Sequence, residues 1–84
     1  MNPTYRIEIE KAALKFILKQ PPEQQKRLMR EIQKLPYNRD IVPYNGVENA
    51  FRLRVGDYRV IYLKHDAVLT IVVIRAGNRG DVYK

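Results

Sequence analysis

Arg52, Arg54 and Arg59 are spaced to act together on an anion. They lie in the segment Phe51-Arg52-Leu53-Arg54-Val55-Gly56-Asp57-Tyr58-Arg59-Val60-Ile61-Tyr62. Alternation sends Phe51, Leu53 and Val55 to one side of a strand and Arg52 and Arg54 to the other. Gly56-Asp57 reads as the centre of a type II′ hairpin turn, with glycine at the first central position. That turn sets Val55 opposite Tyr58, Arg54 opposite Arg59, Leu53 opposite Val60 and Arg52 opposite Ile61. Directly opposite residues share a face, so the three guanidinium groups converge. Like charges in that position destabilise a sheet, which points to an anion among them. The alternative is a plain solvated charged face. Guanidinium forks match phosphate oxygens, so the available chemistry is phosphate binding and stabilisation of negative charge. Arginine keeps its proton, so the same group makes a poor base.

Composition agrees with a polyanionic partner. The chain has 84 residues and a net charge of +7. Its second half favours arginine, with Arg52, Arg54, Arg59, Arg75 and Arg79 against Lys64 and Lys84. A basic domain of this kind suggests nucleic acid, or else a surface that is merely soluble and basic. There is no cysteine and one histidine, His65. Disulfides and thiolate metal sites are therefore excluded, and no metal or cofactor is expected. The opening Met1-Asn2-Pro3-Thr4-Tyr5 lacks the apolar region of a signal peptide. The apolar run from Val68 to Ile74 is too short to span a bilayer. No membrane association is expected, and the cytoplasm is the expected location.

The elements that must position these residues follow from periodicity. Tyr5, Ile7 and Ile9 alternate with charged residues, as in a half-buried strand. Lys11 to Lys19 places Leu14, Ile17 and Leu18 at helical spacing, with Ala13 and Phe16 beside them. Pro21-Pro22 ends that helix and opens another, since proline is tolerated in a first helical turn. Pro22 to Leu35 carries Leu28, Ile32 and Leu35 on one stripe beside Met29, and Pro36 stops it. Its other face bears Lys26, Arg27, Arg30 and Lys34, a solvated face or a second grip on RNA. Pro36 to Glu48 reads as a loop, whose Tyr37 and Tyr44 face either solvent or a partner.

Three strands are expected after it, over approximately Ala50–Val55, Tyr58–Lys64 and Val68–Arg75, followed by a short polar tail. The last two are apolar enough to be central. His65 falls in a turn, and Tyr58 and Tyr62 in the core. The reading is one α+β domain over residues 1–84, a strand, a helical hairpin and a three-strand meander. Its sheet has four strands, mainly antiparallel. The helices cover Phe51, Leu53, Tyr58 and Val60, leaving the arginine face open.

Three segments together resemble the RelE/ParE superfamily of bacterial and archaeal toxins. They are Tyr5 to Phe16, the arginine hairpin, and Ile74-Arg-Ala-Gly-Asn-Arg-Gly-Asp-Val-Tyr83. The resemblance spans essentially the whole chain. It implies a RelE-like fold and a toxin neutralised by a cognate, RelB-like antitoxin, with operator DNA bound only indirectly through that antitoxin. In the RelE branch it implies a metal-independent endoribonuclease that cuts mRNA on the ribosome and so inhibits translation. The attacking group there is the ribose 2′-OH. In the ParE branch it implies an inhibitor of DNA gyrase. A third possibility is a catalytically weak homologue that acts mainly by binding antitoxin and regulating its operon.

Carried over position by position, the resemblance makes Arg52, Arg54, Arg59, Arg79 and Tyr83 the catalytic set. Arg59 and Arg79 would hold the scissile phosphate, and Arg52 and Arg54 would position the RNA backbone and stabilise developing charge. Tyr83 would stack on a base or take part in proton transfer. Nucleases of the family carry lysines where this chain has Arg52 and Arg54, and often Lys or His where it has Asn78. These departures favour phosphate binding over proton abstraction.

Overall fold

The computed structural model describes residues 2–78. Its elements are β1 (Arg6–Ile9), α1 (Lys11–Leu18), α2 (Pro22–Gln33), β2 (Ile41–Pro43), β3 (Ala50–Val55), β4 (Tyr58–His65) and β5 (Thr70–Asn78). The five strands form one sheet in the order β1-β5-β4-β3-β2. β1 runs parallel to β5, and every other pair is antiparallel.

Both helices lie on one face of this sheet, α1 over β5 and α2 over β3. The core beneath them joins Ala13 and Ile17 of α1 to Leu28 and Ile32 of α2, with Leu35 just beyond. From the sheet come Leu53, Val55, Tyr58, Val60, Tyr62, Ile71 and Val73. Gln25, in the first turns of α2, donates to the carbonyls of Leu18 (3.2 Å) and Gln20 (2.8 Å). It thereby satisfies acceptors that the end of α1 leaves open, and it fastens the helical hairpin.

Several expectations are corrected. The sheet has five strands rather than four, because the expected loop contains β2. Three residues ending in proline are too few to show a period. They pair because Ile41 sits opposite Leu53 and packs against the core. Proline is admissible there because β2 is an edge strand. The last strand begins at Thr70 rather than Val68, since a 3₁₀ turn occupies Asp66–Val68. It also continues through Asn78, so part of the expected tail is strand. His65 closes β4 instead of lying in the turn. α1 ends at Leu18 and α2 at Gln33, each slightly short of its expected end. In α1 the buried stripe is Ala13 and Ile17 with Phe16 half-buried, while Leu14 and Leu18 are exposed.

The hairpin at the centre of the sequence argument has the expected register, Val55 opposite Tyr58 through Arg52 opposite Ile61. Gly56 has φ +59° and Asp57 has no positive φ, as a type II′ turn requires. The positive φ is what favours glycine here, and the turn also has a neighbour from α2. The Arg27 guanidinium packs over the turn, 2.8 Å from where a Cβ would stand, and its flexible end can shift to admit one.

Candidate functional site: an arginine face on the sheet

The helix-free face of the sheet carries the arginines. Arg52 and Arg54 project from β3 and Arg59 from β4, on the side opposite Leu53, Val55 and Val60. β5 adds a fourth, Arg75, which lies opposite Ile61 in the same cross-strand row as Arg52. Strict alternation along β5 would put Arg75 on the core side with Ile71 and Val73. A bulge between the pairs Ile61/Arg75 and Tyr62/Val73 leaves Ile74 unpaired and turns Arg75 outward. Arg75 was visible in the sequence only as part of an arginine-rich half. Nothing in the local pattern announces the bulge.

Ile61 explains how the face holds together. It is 1% exposed although it lies on the helix-free side. Its neighbours in register are Arg52 and Arg75, and aliphatic arginine stems can cover an apolar side chain while their heads reach outward.

Arg59 is the most constrained of the four, with 9% exposure. Its Nη1 donates to the Tyr58 carbonyl at 3.3 Å, and its Nε is buried without a hydrogen-bond partner. Among the described residues no carboxylate lies within ion-pair distance of it. Across the strands it faces Arg54 on one side and Gly77 on the other. A nearly buried cation in that position is costly unless an anion completes it. Arg54 is more exposed, and its Nε stands 3.8 Å from Oδ2 of Asp40. An exposed pair at that distance offsets little of its charge.

The remaining candidates fall elsewhere. Arg79 and Tyr83 lie outside the described residues. Lys26, Arg27 and Arg30 on α2 and Lys34 just past its end are solvent-exposed, and α2 packs on the face of the sheet opposite the arginines. Lys34 is tied to Glu31 at 3.0 Å, and Arg27 leans on the hairpin turn. Lys26 and Arg30 do not join the surface of the four arginines, whereas Lys34 lines a cleft at the sheet edge that Arg54 also lines.

His65 shares the arginine face but sits roughly 20 Å along β4 from Arg59. Tyr62 points into the core, where burial pushes its phenol up to about 12 and keeps it protonated. Tyr58 is also core, and its hydroxyl donates to Gln20 Oε1 at 3.1 Å. Among the described residues no three His, Asp or Glu side chains gather to hold a metal ion. No helix of these residues is long and apolar enough to cross a membrane. The face can bind a phosphodiester and stabilise added negative charge on it. Four arginines cannot supply the proton transfers.

Comparison with known proteins gives a consistent picture. The family described as ParE toxin of type II toxin–antitoxin system, parDE, matches residues 5–83. The archaeal RelE in a RelE–RelB complex from Pyrococcus horikoshii OT3 is 30% identical, with a TM-score of 0.78, covering 94% of this chain and 99% of that one. The toxin of a RelB–RelE complex from Methanococcus jannaschii is 27% identical, with a TM-score of 0.71 and coverages of 90% and 94%. Isolated RelE of E. coli, at 22% identity, shares the fold with a TM-score of 0.72 and coverages of 94% and 90%. A search of curated proteins found no match.

Proposed function

The chain belongs to the ParE toxin family of type II toxin–antitoxin systems, within the RelE/ParE superfamily, and from that premise we propose that it is a ribosome-dependent mRNA endoribonuclease. The observation that carries this reading is Arg59, a nearly buried cation without a carboxylate partner, in the middle of an arginine face. In the proposed reaction a ribose 2′-oxygen attacks the adjacent phosphorus as the bond to the 5′-oxygen breaks. The 2′-hydroxyl proton is removed and a proton reaches the leaving 5′-oxygen. The products are a 2′,3′-cyclic phosphate and a free 5′-hydroxyl.

Arg59, with Arg79, holds the phosphate and the charge that grows on it. Arg52, Arg54 and Arg75 grip the flanking backbone. Proton transfer is assigned to Tyr83 or to groups of the ribosome and substrate. Lys26, Arg27, Arg30 and Lys34, on α2 and at its end, are assigned to ribosomal RNA. A RelB-like antitoxin is the proposed inhibitor, as in the complexes of the similar archaeal toxins.

The test is to induce the protein in cells and map mRNA 5′ ends, with Arg59→Ala and an Arg59→Ala, Arg79→Ala double variant alongside. New cuts positioned by reading frame are expected from the native chain, and at least ten-fold fewer from either variant. Unchanged 5′ ends with the native chain would overturn the reading. The second reading, inhibition of DNA gyrase, is favoured by the family description, which names ParE. Loss of supercoiling activity by purified gyrase, without RNA cuts, would select it.

A further inference from the structure

Beside the arginine face, at the sheet edge, is a cleft of about 360 Å³. Lys34, Tyr37, Asn38, Arg39, Asp40 and Arg54 are among the residues lining it. Arg54 belongs to both surfaces, since it also stands opposite Arg59. Tyr37 and Lys34 separate this cleft from a second one of about 460 Å³, which continues to Pro3 and Tyr5.

The lining is unlike that of a phosphate site. Glu31 lies 3.0 Å from Lys34, and Asp40 lies 3.8 Å from Arg54. Lys34 and Arg54 are thus partly balanced, while Arg39 makes no ion pair among the described residues. Donors and acceptors occur together, beside an aromatic ring. Tyr37 is 47% exposed, yet it is held from two sides. Its hydroxyl donates to the Pro3 carbonyl at 2.5 Å, and its ring meets Tyr5 edge-on with centroids 6.3 Å apart. A fixed, half-exposed ring flanked by mixed polar groups suits the flat face and the donor–acceptor edge of a nucleobase.

We infer that this cleft is a second nucleotide subsite, which takes the base of an RNA residue neighbouring the one held by the arginines, with Tyr37 as its stacking platform. The cleft is about two strand spacings from Arg59, roughly 10 Å, so one strand can occupy both. Asp40 accepts from the base edge, and Arg39 donates to it or to the adjoining phosphate. The inference rests on the RNA reading above and adds to it a determinant of which sequences bind.

The experiment measures binding of 2′-O-methyl RNA, which lacks the attacking hydroxyl. A dinucleotide is compared with tetranucleotides extended in either direction and with the same tetranucleotides made abasic in the extension. Extension in one direction is expected to tighten binding about tenfold, and the abasic version is expected to lose that gain. Tyr37→Ala should abolish the gain while leaving the dinucleotide unchanged. Tyr37→Phe, which keeps the ring, should retain it. The inference is overturned if Tyr37→Ala keeps the gain, or if it weakens all lengths equally, as a folding defect would. In those cases, loss of dinucleotide binding in Arg59→Ala shows that the RNA reading survives. If the native chain binds no length, the inference falls, and the map of mRNA 5′ ends alone decides the RNA reading.

Discussion

Arg59 shows what one residue contributes, a nearly buried cation whose Nε has no hydrogen-bond partner and to which the proposed function assigns an RNA phosphate. Tyr5 and Asp66 show the opposite use of charge, as a fastening. They are 61 positions apart and joined at 2.6 Å, with Tyr5 donating to Oδ1 of Asp66 and Lys64 3.3 Å from the same oxygen. The Tyr5 hydrogen bond, aided by Lys64, holds the Asp66 carboxyl below its ordinary value. The same bond pushes the Tyr5 phenol up to about 12. A lowered carboxyl adds stability that is complete above its unfolded value and is lost as pH falls through the folded one. A raised phenol adds stability that is complete below its unfolded value of about 10 and is lost as pH rises toward 12. Urea midpoints measured from acid to alkaline pH should therefore fall at both ends. Tyr5→Phe should reduce the acid limb to what Lys64 at Asp66 and the lowered Glu31 carboxyl, held by Lys34, supply, and reduce the alkaline limb to what Tyr62 supplies. Unchanged limbs in Tyr5→Phe would show that this contact does not couple to folding.

At the scale of elements, the β5 bulge is the feature with the most consequence. With Ile74 unpaired, Val73 faces the core and Arg75 faces outward. With regular pairing and Ile74 retained, Arg75 would sit opposite Val60, among fully buried apolar residues, at a cost the fold would not carry. Deleting Ile74 removes the extra residue without moving either neighbour across the sheet. The deletion variant should still unfold cooperatively and bind short RNA within about threefold of the native chain, because the four arginines keep their face. A loss of RNA binding with the fold intact would mean that the bulge aims Arg75 as well as flipping it. The hairpin itself was legible without tertiary information, since its alternation and Gly56-Asp57 turn are local. Strand β2 was not, because only its pairing with Leu53 makes three residues a strand. The buried stripe of α1 departs from its apolar spacing for a related reason. Leu14 and Leu18 match helical spacing, but the sheet lies beneath Ala13 and Ile17, and Leu18 is 60% exposed.

At the scale of the molecule, basic charge lies on two opposed surfaces, the arginine face and the outer face of α2. A short single strand can touch only one of them. If Arg52, Arg54, Arg59 and Arg75 are its phosphate contacts, log affinity should fall with log salt at a slope of roughly −3. Replacing Lys26 and Arg30 with glutamine should leave that slope unchanged, and a shallower slope would place α2 on the same RNA. By itself the sequence determined the hairpin register, the pairing of Arg54 with Arg59, the two helices and the α+β class. Each of these follows from turn chemistry or from a period expressed within a few residues. Only the tertiary structure decided that Arg75 joins the face, that β1 pairs in parallel with β5, that Arg27 braces Gly56, and that Tyr37 stands in a cleft beside Arg54. Those facts depend on contacts between residues far apart in the chain, and no local pattern encodes a partner that distant.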